Sequence, residues 1–497
     1  MNLGESIRKN TSWILGSNII SQVIKFGVGI ALARLLTPEI FGLLITVQVF
    51  TGAAGFIAGG GMGQALIQAK NVTTKHFRVV FTLQFAICSL IYCFFYNIAP
   101  YFSVWFNNPI YTDLLRISAL TFLIRPFASV AKSKLHREMN FKIISLVSFV
   151  GLIIGSGTSI ILAINNYGVW SLVLGGIIGP IFTSLLYITY SKCYPGFEFD
   201  SVIAKKLGSY GFQASVNNIV GYLKTQIPNF LIGKFLGPST VGLFNKGSSL
   251  SEIPVITISG SAYQTVFRAL SSSQDNLDQS KYIYLRTITL VSIYTFPFYI
   301  GLFWLSESFI LTVYGEQWLM AAIPLQILSI SGLFRCITNT SGAVMAAQNL
   351  LGTEIKIQLI ALVLTALGCW YGVVQGDIVL IAFGLLPSTI FLSTALSYNA
   401  LQQLNATYSE LFQAIRPAIR LNLILASILA ITDIEIRIYL PDLHISEYLI
   451  ILSSIGCISY SGLFLFYPIQ ALEKESLRWK KLFRLTTPTI SIKTSNN

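Results

Sequence analysis

Fourteen apolar runs, each long enough to cross a lipid bilayer, dominate this 497-residue sequence. A helix needs about 20 apolar residues to cross the roughly 30 Å hydrocarbon core. Apolar residues make up 54% of the chain and charged residues only 11%, so the pattern predicts an all-α integral membrane protein with 14 transmembrane helices. The predicted spans are 12–35, 40–67, 80–104, 114–131, 142–164, 168–190, 210–235, 240–266, 287–313, 320–345, 357–375, 378–400, 418–433 and 446–468.

The placement of the basic residues supports this count. Lys and Arg recur in every second loop, beginning with Arg8 and Lys9, whereas the opposite loops at 106–112 and 165–167 contain none. By the positive-inside rule, this alternation places both termini in the cytoplasm. The net charge of +13 lies in short loops, without a basic stripe interleaved with exposed aromatic residues, so we do not expect nucleic-acid binding.

One helical hairpin motif occurs twice, at 31–52 and again 200 residues later at 231–252. In each copy an apolar helix ends in a cation, a Leu-x-Pro turn follows, and a second apolar helix begins beside a glycine. Proline suits the first turn of a helix, where its missing N–H costs nothing. The matched pairs are Arg34 and Lys234, Leu36 and Leu236, Pro38 and Pro238, Gly42 and Gly242, and Leu43 and Leu243.

The repeat predicts two homologous six-helix lobes followed by two extra helices. An even number of spans gives both lobes the same orientation, so the pseudo-two-fold axis must run along the membrane normal. The predicted parts are an N-terminal lobe at 1–192, a cytoplasmic linker at 193–208, a C-terminal lobe at 209–400, a helix pair at 401–470 and a basic cytoplasmic tail at 471–497.

The sequence carries no enzyme signature. It contains no P-loop, HExxH or paired CxxC motif, and His76, His136 and His444 are far apart. The longest loops, at 268–286 and 401–417, are too short for a folded catalytic domain. We therefore expect no catalytic residues, no metal site and no cofactor.

Ionisable residues inside the spans are the candidate functional residues, because a charge in hydrocarbon costs on the order of 2.5–3.5 kcal/mol. Lys25 and Lys224 lie in the first span of each predicted lobe, and Arg125 and Arg335 lie in the fourth. Two facing lobes would bring these four cations toward one cavity, where they suit a phosphate-bearing ligand. Glu252 is a carboxylate within the eighth span and could carry a proton. Two structural alternatives stay open: the cations pair with carbonyl groups or reach the interface, and Glu252 pairs with a cation.

Four segments resemble a known family: ALARLLTPEIFGLL at 31–44, GGGMGQALIQ at 59–68, HREMNFK at 136–142 and YGVWSLV at 167–173. They are similar to the Wzx-type flippases, the polysaccharide-transporter branch of the multidrug/oligosaccharidyl-lipid/polysaccharide (MOP) exporters, which have a MATE-like fold. The resemblance implies alternating-access transport of undecaprenyl-diphosphate-linked oligosaccharides across the bacterial inner membrane, for lipopolysaccharide O-antigen or exopolysaccharide synthesis. It also implies coupling to protons or sodium, with Glu252 as the local candidate, and partners such as membrane lipids and a glycan polymerase.

Two other classes of function are compatible with the sequence. A peptidoglycan-precursor flippase or a drug antiporter of the same superfamily would share the fold, although a drug-cation exporter should have an acidic cavity. A membrane-embedded glycan polymerase or glycosyltransferase would need a sizeable extramembrane loop with catalytic groups, and the predicted outer loops are short.

Overall fold

The structure, a computed structural model, describes residues 3–59, 61–69, 72–273, 276–467 and 469–483. The predicted tail therefore lies partly outside the described residues. The described residues form helices joined by short connections. The α-helices are α1 (Leu3–Leu35), α2 (Pro38–Gly59), α3 (Met62–Gln68), α4 (Thr74–Trp105), α5 (Ile110–Arg137), α6 (Phe141–Ile164), α7 (Val169–Ser191), α8 (Ser201–Phe235), α9 (Pro238–Pro254), α10 (Gly260–Ser272), α11 (Leu277–Phe309), α12 (Ala322–Ala347), α13 (Leu351–Val374), α14 (Ile378–Gln403), α15 (Tyr408–Tyr439), α16 (Ile445–Phe466) and α17 (Glu473–Leu482).

Three short segments that are not α-helical adjoin the long helices of the described chain. A π-helical turn at Val255–Ser259 joins α9 to α10, and a second at Ile310–Tyr314 follows α11. A 3-10 helix at Glu316–Ala321 leads into α12. Such π-helical turns are frequent at functional sites.

Eleven helical segments of the described chain are long and apolar enough to cross a membrane. They coincide with predicted spans two to six and nine to fourteen. The helices α1, α8 and α9–α10 coincide with the other three predicted spans but are not among the eleven. A multi-pass, all-helical membrane protein is thus confirmed, and the count of fourteen stays a prediction.

The turns between helices use residues that suit their backbone geometry. Pro38 and Pro238 are the first residues of α2 and α9, as the repeat predicts. Asparagine, which tolerates the left-handed conformation through local hydrogen bonding, occupies that conformation after α4, α6, α12 and α14. These residues are Asn107, Asn166, Asn349 and Asn405.

The chain forms two compact units. The first comprises Met1–Lys246, Val313–Met320 and Gln358–Gly384. The second comprises Gly247–Thr312, Ala321–Ile357 and Leu385–Asn497. The predicted lobe boundaries and their symmetry stay predictions.

Within the first unit, α6 and α7 pack through two opposed G-x-x-x-G motifs. A Cβ added to Gly155 would lie 2.9 Å from the carbonyl oxygen of Gly175, and one added to Gly179 would lie 2.9 Å from that of Gly151. Small residues at this spacing let two backbones approach closely, which is a main source of helix association in lipid. A buried apolar cluster from α2, α4, α5 and α7, including Val47, Phe95 and Leu114, forms the core beside this pair.

Candidate substrate-binding cavity

A cavity of about 630 Å³ lies within the first unit, between α2, α5, α7, α8 and the middle of α9. Its polar lining consists of one guanidinium, side-chain amides and hydroxyl groups, and it contains no carboxylate. The lining residues are Ile45, Gln48, Thr51, Gly52, Gly55, Phe56, Thr121, Phe122, Ile124, Arg125, Ala128, Pro180, Ser184, Tyr222, Gln226 and Asn245.

Arg125, the only charged residue in this lining, lies in the middle of α5 with its side chain exposed to the cavity. Two glycines of α2 make room for its guanidinium. A Cβ on Gly55 would lie 3.1 Å from Nη1, and one on Gly59 would lie 2.9 Å from Nη2. No described carboxylate forms an ion pair with Arg125. Its donors are thus directed at a space that a ligand can fill.

Side chains of α4 contact the backbone of α2 beside Gly55 and Gly59. The Gln84 side chain is 1% exposed, and its Nε2 donates to the carbonyl oxygen of Gly59 at 3.2 Å. One turn further along α4, the Cys88 thiol lies 3.9 Å from the carbonyl oxygen of Ala58. These contacts hold the end of α2 where Arg125 passes it.

Tyr222 of α8 forms a second part of the cavity wall. Its hydroxyl donates to the backbone carbonyl of Gln48 at 2.7 Å. This approach is possible because position 52 is a glycine: a Cβ there would overlap the Tyr222 hydroxyl. The ring of Phe56 meets the Tyr222 ring edge-on at 5.4 Å. The tyrosine therefore joins α8 to α2 and presents an aromatic surface to the cavity.

This lining suits an anionic, hydroxyl-rich ligand. A guanidinium donates two parallel hydrogen bonds to a phosphate or carboxylate, and away from bulk water such bonds are stronger. The amides of Gln48, Gln226 and Asn245 can both donate to and accept from sugar hydroxyls. A cationic drug would find no counter-charge in this lining.

The other predicted cations of the first unit do not line this cavity. Lys25 is an exposed residue of α1, and Lys224 is a half-buried residue of α8. At about 100° per residue, Lys224 points roughly opposite to Tyr222 and Gln226, which do line it. A shared site for all four cations stays a prediction.

In the second unit, the structure joins two of the predicted site residues. Arg335 of α12 donates from Nη2 to Oε1 of Glu252 in α9 at 2.9 Å. From the sequence, the arginine is predicted to bind the substrate and the glutamate to carry an ion. Their pairing matches the structural alternative for Glu252, in which this carboxylate pairs with a cation.

Comparison with known proteins places the chain in a family. Residues 31–323 match the model of the family described as "Polysaccharide biosynthesis protein". The chain belongs to this family. The matched region includes both copies of the hairpin motif and the residues lining the Arg125 cavity.

The relatives of this polysaccharide biosynthesis protein have low sequence identity to it, but the similarity covers about two thirds of the chain or more. The chain is 23% identical to the "Lipopolysaccharide biosynthesis protein WzxC" of Escherichia coli, over 70% of this chain and 71% of the relative. It is 25% identical to the "Teichuronic acid biosynthesis protein TuaB" of Bacillus subtilis, over 66% of this chain and 68% of the relative. The Wzx-type resemblance of the sequence is thus confirmed.

Solved structures support the all-helical fold. The structure described as "Lipid II flippase MurJ, inward closed conformation" matches with a TM-score of 0.71 at 16% identity, covering 94% of this chain and 99% of that one. An inward-facing multidrug resistance MATE family transporter of the MOP superfamily matches with a TM-score of 0.60 at 15% identity, covering 78% and 96%. These likenesses establish the fold of this family member.

Arg125 of this polysaccharide biosynthesis protein stands out in the sequence as a charge within an apolar span, whereas the residues around it were not predicted. Gln48, Gly52, Gly55 and Gly59 recur along α2 at intervals of three or four residues, so they share one helix face. This spacing can be read from the sequence. A row of glycines that begins at a polar residue is the signal for a helix face that lines a cavity. The contribution of Tyr222 had no comparable signal, because its partner lies 174 residues away.

Proposed function

We propose that this protein is a flippase that moves polyprenyl-diphosphate-linked oligosaccharide repeat units across a bacterial inner membrane by alternating access. The observation that carries the proposal is Arg125, a guanidinium without an acidic partner among the described residues, facing a cavity lined by amides and hydroxyls. A diphosphate supplies the anion and the sugars supply hydroxyl groups. Membership of the polysaccharide biosynthesis family supports this cargo class.

The physical task matches the architecture. Sugars and phosphates cannot cross hydrocarbon unaided, because each unsatisfied polar group costs several kcal/mol there. A polar cavity inside a helical unit replaces their water, and the long prenyl chain can remain in the bilayer. The protein performs transport without covalent chemistry, so in this proposal it is not an enzyme and needs no cofactor.

The proposal includes a topology and a setting. We infer 14 transmembrane helices in two six-helix lobes plus a C-terminal pair, with both termini in the cytoplasm. The substrate is a lipid-linked oligosaccharide for lipopolysaccharide or exopolysaccharide synthesis, and a glycan polymerase acts on the translocated product. Transport is coupled to an ion gradient, with Glu252 as the carrier of a proton or sodium ion.

The decisive experiment deletes the gene and identifies the lipid-linked intermediate that accumulates on the cytoplasmic face. We expect a polyprenyl-diphosphate oligosaccharide of the surface polysaccharide, together with loss of that polysaccharide. Accumulation of the peptidoglycan precursor instead would identify the chain as the rival flippase. Accumulation of an unpolymerised unit on the outer face would indicate a polymerase and contradict the proposal.

A further inference from the structure

The ion pair between Arg335 and Glu252 is unusual for its position. Arg335 lies within the apolar segment Glu316–Ala347, Glu252 lies near the C-terminal end of α9, and their side chains are 31% and 32% exposed. A partly exposed charge in an apolar segment of this kind does not face lipid, because ionisable groups inside membranes face the protein interior or a water-filled cavity. A polar ligand can therefore reach this pair.

Neither member of the pair forms a second ion pair with a described residue. Among the described residues, the ion pair with Arg335 is the only one that Glu252 forms, and the reverse holds for Arg335. One guanidinium therefore faces one carboxylate. Any anion that binds Arg335 must take the place of Glu252 or share the guanidinium with it.

The backbones that carry the two groups are held by Tyr299 of α11. Its hydroxyl donates to the carbonyl oxygen of Ser251, the neighbour of Glu252, at 3.2 Å. Its ring packs against Gly332, one turn before Arg335, where a Cβ would overlap it. Tyr299 is 1% exposed, so this contact among three helices is buried.

The chain is less regular on the side of Glu252 that leads to α10. Glu252 lies two residues before Pro254, and the π-helical turn Val255–Ser259 follows directly. The hydroxyl of Ser259 is buried in this turn. A helix with a locally altered hydrogen-bond ladder can adjust its geometry at low cost, which places an adaptable segment beside the carboxylate.

We propose that Glu252 is an internal competitor for the substrate anion: its carboxylate occupies Arg335 in the unloaded protein and is displaced when a phosphate of the substrate binds there. This inference rests on the proposed function and names a specificity-determining role that Arg125 lacks. The guanidinium keeps an anionic partner before and after the exchange. Weakly acidic or neutral ligands bind Arg335 too weakly to displace the carboxylate, whereas a diphosphate binds strongly enough. Glu252 therefore makes the site selective for strong anions.

A competitor of this kind has a distinctive consequence. Removing it must tighten the binding of the anion, because the free energy of the internal pair no longer opposes binding. A purely structural ion pair predicts the opposite. Neutralising one partner would leave a charge unpaired, destabilise the fold and leave affinity unchanged or weaker.

The test measures the affinity of the purified full chain for farnesyl diphosphate, with farnesol as the uncharged probe. We expect Glu252→Gln to lower the Kd for farnesyl diphosphate about two- to fivefold, with no change for farnesol. Arg335→Gln should raise the Kd, and the double variant should match Arg335→Gln alone. Glu475→Gln is the matched control, because Glu475 pairs with Arg286 in the same unit at 3.4 Å, and it should change nothing.

Three outcomes overturn the inference: an unchanged Kd in Glu252→Gln, a raised Kd, or an equal gain in the double variant. If Glu252→Gln does not accumulate in membranes, Glu252→Asp replaces it. Aspartate retains the charge but is shorter by one methylene, which moves the carboxylate away from Arg335. A smaller decrease in Kd is therefore expected, and an unchanged Kd contradicts the inference.

If wild type and Glu252→Gln both bind the diphosphate no better than farnesol, the proposed function fails as well. Selective binding by wild type without an effect of Glu252 removes only the inference.

Discussion

Gly42 lies against the backbone carbonyl of Pro238 with no space for a side chain, and Gly242 lies against Pro38 in the same way. The two copies of the repeated hairpin thus contact each other reciprocally, each through its glycine and the other's proline. Nearby, the ammonium of Lys246 lies 4.7 Å from the ring of Phe41. The repeated Leu-x-Pro and glycine positions therefore serve a contact between the copies as well as the turn within each.

Alanine at position 42 should destabilise the protein. The added methyl group would overlap the Pro238 carbonyl, and overpacking of this kind costs about 1–3 kcal/mol. Gly242→Ala should have a similar effect, because its contact is reciprocal. Thermal unfolding of the purified protein in detergent measures both.

Gly176→Ala is the control for these two variants. Gly176 also lies within a helix, but a Cβ there would meet nothing within 4 Å. Alanine has the higher helix propensity, so this variant should be neutral or slightly stabilising. Equal melting temperatures in all three variants would contradict the reciprocal contact.

The sequence predicts local and repeated features better than distant pairings. The Leu-x-Pro turns, the apolar spans and Arg125 as a cavity residue are each encoded within a few residues, by turn chemistry or by a charge in an apolar run. The pairing of Arg335 with Glu252 joins positions 83 residues apart, and no local pattern specifies it. Lys25 and Lys224 show the limit of symmetry arguments: they are equivalent in the repeat, yet neither lines the described cavity.

The predicted topology can be tested with two reporter fusions. If the chain has 14 spans, a reporter after residue 497 lies in the cytoplasm and one within 433–447 lies outside. Paired phosphatase and fluorescent-protein fusions should give opposite activities at these sites. The same sidedness at both would exclude the fourteen-span arrangement while leaving the eleven described helices intact.

Asp200 should make the stability of the first unit pH-dependent. Its carboxylate lies 2.7 Å from the Lys75 ammonium and accepts hydrogen bonds from the backbone N–H groups of Val202 and Ile203 at the start of α8. The hydrogen bond from Lys75 lowers the pKa of Asp200, and the hydrogen bond from Ile203 adds to this effect. A carboxyl with a lowered pKa in the folded state stabilises the fold above its ordinary pKa of about 3.9, and this contribution is lost as pH falls through the lowered value.

Asp200→Asn should therefore lower the melting temperature at pH 7, and the difference from wild type should disappear in strong acid. Asparagine is also a good N-cap residue, so the change isolates the charge from the cap. Asp442→Asn serves as the control, since Asp442 is exposed and forms no ion pair with a described residue. A difference that persists unchanged at low pH would show that the Asp200 charge is not its cause.

Arg125 should determine the rate of glycan export without determining whether the protein inserts. Arg125→Ala removes a charge from the cavity lining, so membrane abundance should hold while export falls roughly ten- to hundredfold, the range expected for a charged hydrogen bond. Arg125→Lys should restore only part of the rate, because a point charge cannot reproduce a bidentate fork.

Gly59→Ala tests the same site without altering a charge. Its methyl group would lie 2.9 Å from Nη2 of Arg125 and would move the guanidinium. Export should therefore fall in Gly59→Ala, whereas it should not change in the Gly176→Ala control. Export is measured as surface polysaccharide per unit of membrane protein in a deletion strain. Full export by an Arg125→Ala, Arg335→Ala double variant would end the assignment of both arginines to phosphate binding.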